Sequence, residues 1–179
     1  SAQLSPAERV AAELKSIFTR GALDQAMANK LNYGGLFVLY RAILRTARVE
    51  VGDVLDIVTD SAVKGEPVIF HCAKGKDRTG LISMWLGRVC GQDEATVVES
   101  YAASAKLLGG DDKPTEEARA GYVDWNLLRG SPASAAIETL AWVEEQGGVD
   151  AYLDGCGFDA NSRARLRSAA PGTGTKAGR

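Results

Sequence analysis

One histidine, three cysteines and no excess of positive charge set the first limits on this chain of 179 residues. The lone His71 excludes a histidine-rich metal site and any Cys–His pair drawn from elsewhere in the sequence. Cys72, Cys90 and Cys156 are odd in number and far apart, so they give neither a disulfide framework nor the paired spacing of a zinc site. No metal or other cofactor is expected, and a reducing, cytoplasmic compartment suits free thiols. A formal net charge of −2 argues against nucleic acid as a partner, which would need a broad positive face. No apolar run approaches the roughly 18 residues of a membrane span. The start lacks the charged-then-apolar layout of a secretory leader, so no stable membrane insertion is expected. Oligomeric state is not legible.

What is present is a core. With 45% hydrophobic residues, the composition supports one domain over residues 1–170. From Pro171 onward Gly, Thr, Lys and Arg without apolar content predict a disordered tail over 171–179. Helical periodicity dominates. Ser5-Pro-Ala-Glu8 reads as a capping box ahead of the stripe Val10, Leu14, Ile17 and Phe18. A weaker pattern through Leu23, Met27 and Leu31 is broken at Gly34-Gly35. Leu36, Tyr40, Ile43 and Leu44 then predict a helix, and Val51, Leu55 and Val58 another, closed by Lys64-Gly65. Further on, helices are predicted from a cap at Asp93 or Gln92 to Ala105, from Thr115 to Gly130 and from Ser131-Pro132 to Gly147-Gly148. Two short ones flank Gly155-Cys-Gly157.

One stretch departs from this pattern. Val68-Ile-Phe70, entered through Pro67, reads as a buried strand ending at His71. From Leu81 the apolar residues return at helical spacing, so a helix is predicted from near Thr79 to Gly91. Cys72 and Arg78, with five residues between them, lie in the loop between. A loop closing onto a helix N-terminus aims successive backbone N–H groups at one spot, which favours an oxyanion. The Arg78 guanidinium adds a planar fork that matches two phosphate oxygens at once. The same field lowers the pKa of a thiol placed there into a range of about 3.5–7.5. A thiolate beneath a cradle for tetrahedral anions is a nucleophile for phosphoryl transfer.

At these residues the sequence resembles the Cys-x5-Arg phosphatase superfamily. Within it, His-Cys-x-x-Gly-Lys-Asp-Arg-Thr-Gly over 71–80 is similar to the bacterial-type tyrosine phosphatases that also accept phosphoinositides. The resemblance covers about residues 35–170. It implies an α/β fold, a parallel sheet flanked by helices with a helix-rich C-terminal half. The Arg-Asp-Leu-Gly-Gly-like segment that these phosphatases carry upstream of the nucleophile has no match in residues 1–66, so the N-terminal strands are expected to be missing or rearranged.

The implied activity is cysteine-dependent hydrolysis of phosphotyrosine in proteins through a phosphocysteine intermediate. Cys72 is the nucleophile, and Arg78 with the N–H groups of Ala73, Lys74, Gly75 and Lys76 holds the phosphate. Thr79, by resemblance, donates its hydroxyl to the sulfur; capping the helix is the alternative. His71 is expected to fix the loop rather than act as a base. For the general acid the candidate is Asp77, inside the loop, with a salt bridge to a loop cation as the competing role and Asp111 or Asp112 as lid-borne alternatives. Lys74 and Lys76 are expected to make the rim positive, which suits a phosphoinositide phosphatase. An inactive phosphate-binding fragment is the remaining reading, and a rhodanese or arsenate reductase fits the loop poorly. Cys90 and Cys156 are expected to be passive.

Overall fold

The computed structural model describes residues 22–107 and 123–170. Helix α1 (Ala22–Thr46) is bent at Gly35, whose φ of 54 and ψ of −145 interrupt the helical backbone where the glycine pair predicted a break. Helix α2 (Arg48–Lys64) stops at Gly65, a left-handed residue whose N–H returns to the Ala62 carbonyl. Helix α3 (Asp77–Val89) follows the loop, and α4 (Glu94–Leu107) begins after Asp93, whose carboxylate accepts from the Thr96 N–H at 2.7 Å. A 3-10 turn (Trp125–Leu128) precedes α5 (Ala133–Glu145), α6 (Gly148–Asp154) and α7 (Ala160–Ala169).

The expected parallel sheet is absent: no strand occurs among the described residues. Val68-Ile-Phe70 does not form a ladder. Burial still alternates along it, with Val68 and Phe70 half-buried and Ile69 92% exposed, as in extended backbone resting one face on a core. A ladder needs a second backbone to exchange hydrogen bonds with, and the described neighbours are helices whose own groups are satisfied internally. The described residues are therefore all-helical around the loop, and the α/β reading is overturned for them. The predicted helix from Thr115 to Gly130 is also not continuous. Residues 115–122 lie outside the described residues, and beyond them the chain makes only the short 3-10 turn. The Ser5 capping box lies outside them as well.

Helix α3 is the centre of the packing. Leu81, Ile82, Met84, Trp85 and Val89 are all buried, so it presents apolar side chains around most of its circumference, as a helix enclosed by others must. It packs against α2, α4 and α7, while α5 bridges α1, α4 and α6. Trp85 meets Tyr152 of α6 at 5.3 Å between ring centroids, and the Tyr152 hydroxyl donates to the Leu44 carbonyl of α1 at 3.0 Å. Gly80 lets α3 and α4 approach: a Cβ there would stand 2.9 Å from the Tyr101 ring. The enclosed helix carries the loop at its N-terminal end, so the core fixes where that end points.

Candidate active site

Residues 72–76 form the loop, and Asp77 and Arg78 already belong to the first turn of α3. Gly75, with a φ of 71, turns the loop through the left-handed region and into the helix. The turn brings Thr79 back onto Cys72: the Cys72 N–H donates to the Thr79 hydroxyl oxygen at 2.9 Å. That leaves the hydroxyl proton free to reach the sulfur.

The Cys72 thiol is pulled down to about 6. Partial burial pushes the other way, and it is overcome by hydrogen bonds to the sulfur from the Thr79 hydroxyl and from the N–H groups of Thr79, Lys74 and Gly75. The sulfur thus sits inside a closing ring of donors and is mostly anionic at neutral pH. Its two counterparts behave oppositely, since burial pushes the Cys90 and Cys156 thiols up. Both are free.

Thr79→Val tests this arrangement directly. It removes the largest of the stabilising contacts, and a hydrogen bond to a charged group is worth about 1.5–3 kcal/mol. The midpoint for alkylation of Cys72 by iodoacetamide is expected to rise by about one to two pH units from about 6. A profile unchanged from the parent protein rules the contact out as the cause.

The remaining predicted residues divide between surface and interior. Arg78, Lys74 and Ala73 are exposed. His71 is exposed too, with Nδ1 3.1 Å from the Cys72 carbonyl oxygen, so its ring touches the loop backbone. Lys76 does not stand at the rim. It is only 4% exposed, and its ammonium donates to Asp77 Oδ1 at 2.7 Å and to the Leu128 carbonyl at 3.1 Å. Asp77 faces the same interior: its Oδ1 also accepts from the Tyr40 hydroxyl at 2.7 Å. Asp111 and Asp112 lie outside the described residues.

Tyr40 and Tyr101 are the functional-site neighbours that sequence reasoning passed over as core positions. Their hydroxyls lie 2.6 Å apart and their rings meet edge to face at 88°. Burial raises both phenols, Tyr101 to about 12, so both stay protonated and one donor remains for Asp77. A chain of contacts therefore runs from α4 through Tyr101, Tyr40, Asp77 and Lys76 to the Leu128 carbonyl. A tyrosine on a helical core stripe needs a partner for its hydroxyl, and that need was the available signal.

Among the described residues no cluster of His, Cys, Asp and Glu could hold a metal ion, and no helix is long and apolar enough to cross a membrane. Comparison with known proteins places the chain beside tyrosine phosphatases. The model of a family described as the tyrosine phosphatase family matches residues 7–170, further upstream than the loop motif alone suggests. A tyrosine-protein phosphatase of Nostoc commune is 46% identical over 50 residues, which are 28% of this chain and 17% of that protein. The chain thus covers less than a fifth of that relative's length.

Proposed function

The chain belongs to the tyrosine phosphatase family, and from that premise we propose that it hydrolyses phosphotyrosine in proteins through a phosphocysteine intermediate. The observation that supports this best is the Cys72 thiol held at about 6 within a ring of amide and hydroxyl donors. The thiolate attacks phosphorus, a P–S bond forms, and the P–O ester bond breaks as the phenol leaves with a proton. Water then attacks the phosphocysteine, the P–S bond breaks, inorganic phosphate departs and the thiolate is restored. The N–H groups of the loop and the Arg78 fork hold the equatorial oxygens through both steps.

Asp77 is the proposed source of the leaving-group proton. Its Oδ1 is engaged by Tyr40 and Lys76, so Oδ2 is the oxygen left free of those contacts. General acid catalysis contributes about 10²–10⁴-fold, and its share grows with the basicity of the leaving group. Asp77→Asn is therefore expected to lower kcat for phenyl phosphate by about 10²-fold or more, and for dinitrophenyl phosphate far less. Equal losses on the two esters make Asp77 an anchor of the loop and not an acid.

The whole reading is tested by acid quench during turnover of a phosphotyrosine peptide. Mass spectrometry of the loop peptide should find phosphate on Cys72. Steady hydrolysis with the loop peptide never modified overturns the mechanism.

A further inference from the structure

A cavity of about 160 Å³ opens between α3 and α4, directly beside the loop. Gly75 and Thr79 wall it, and both also donate to the Cys72 sulfur, so the cavity begins within one residue's reach of the nucleophile. Its polar lining is uncharged: Ser83 from α3, Gln92 from the connection, and Ser100 and Ser104 from α4. Met84 and Val97 supply apolar wall. No lysine, arginine or carboxylate is among the described residues that line it.

Size and charge together restrict the occupant. A water takes about 30 Å³, so the space holds about five of them. It is smaller than the roughly 300–1,000 Å³ of a pocket for a drug-sized ligand, and suits one small residue. An anion moved into it would lose hydration and find no cation among the described lining residues in return. Lys76, next in sequence to Gly75, turns away into Asp77 and the Leu128 carbonyl, and exposed Lys74 is not part of the lining. Among the described residues a second phosphate therefore finds no cation here, whereas a short uncharged side chain finds hydroxyl and amide groups in the lining.

We propose that this cavity is a specificity subsite that takes the uncharged residue beside the phosphorylated one in a peptide substrate, and that it selects against acidic flanks and polyphosphorylated head groups. The inference rests on the phosphatase reading and deepens it. Ser83 and Ser100 are both exposed, so replacing them leaves the core packing untouched.

The test compares kcat/KM for two phosphotyrosine pentapeptides, one flanked by serine and one by glutamate, with an aryl phosphate and phosphatidylinositol 3-phosphate in mixed micelles. The parent protein should prefer the serine peptide to the glutamate peptide by about tenfold, equivalent to about 1.4 kcal/mol. Ser100→Lys should erase or reverse that preference. Ser83→Trp should lower the ratio of serine-peptide to aryl phosphate efficiency by about tenfold, mainly through KM. Equal use of both peptides with neither variant changing the ratios overturns the subsite, as does a preference for the lipid. Absence of turnover on every ester overturns the phosphatase reading itself, and this result is distinct from aryl phosphate turnover without peptide selectivity.

Discussion

Cys72→Ser is expected to reduce turnover of an aryl phosphate by about 10⁴-fold or more while leaving phosphate binding within about tenfold of the parent protein. The substitution removes the proposed nucleophile and leaves its cradle. The sulfur is an anion at neutral pH because donors from Thr79, Lys74 and Gly75 surround it. A serine hydroxyl, far less acidic than a thiol, keeps its proton under the same field, and His71 is not aimed at it, its Nδ1 lying 3.1 Å from the Cys72 carbonyl oxygen. The donors themselves are untouched, so the proposed anion site is expected to survive. Steady-state kinetics and calorimetric titration with phosphate read the two halves separately. Turnover near that of the parent protein excludes covalent catalysis at this residue, and loss of binding with turnover means that the substitution collapsed the loop instead.

The lowered thiol and the loop geometry at position 72 could be read from residue order because they depend on a local device, a loop running into a helix N-terminus. Cys72, Gly75 and Thr79 lie within eight consecutive residues, and backbone geometry alone brings Thr79 back to the Cys72 amide. The helical elements were legible for a similar reason. Stripes such as Leu81, Ile82, Trp85 and Val89 report a period of 3.6, and the kink at Gly35 was marked by its own residue type.

Non-local relationships were less readable. Val68-Ile-Phe70 has the composition of a strand, yet a strand is a property of two segments, and the described residues contain no second one. Lys76 and Lys74 look alike in sequence, but one ammonium is buried against Asp77 and the other is exposed. Nothing within the loop distinguishes them. The difference comes from Leu128 and Tyr40, which approach from the 3-10 turn and from α1. The same two contacts explain why the loop's charge is lower at its surface than the motif suggests.

The buried ion pair gives the largest expected change in stability. The Lys76 side chain is 5% exposed and that of Asp77 24%, with 2.7 Å between Nζ and Oδ1. Removing one partner of such a pair strands the other, at a cost of about 3–5 kcal/mol. Asp77→Asn keeps the shape and can still accept from Tyr40, but it leaves the Lys76 ammonium with the Leu128 carbonyl and an amide oxygen, both neutral. Because Asp77 is partly solvated, the lower end of the range applies, about 3 kcal/mol. For a domain of this size, that corresponds to a fall in Tm of about 6–12 °C. Replacing both members is a different matter. In Lys76→Met with Asp77→Asn no charge is stranded, and the thioether fills the space of the lysine stem, so most of the loss is expected to return. A thermal double-mutant cycle therefore carries the argument. A positive coupling of about 2 kcal/mol or more supports the pair as an internal tie between loop and core. If the effects of the single variants add, the ammonium finds water when its partner is removed, and the loop is held by Thr79 and Gly75 rather than by Lys76.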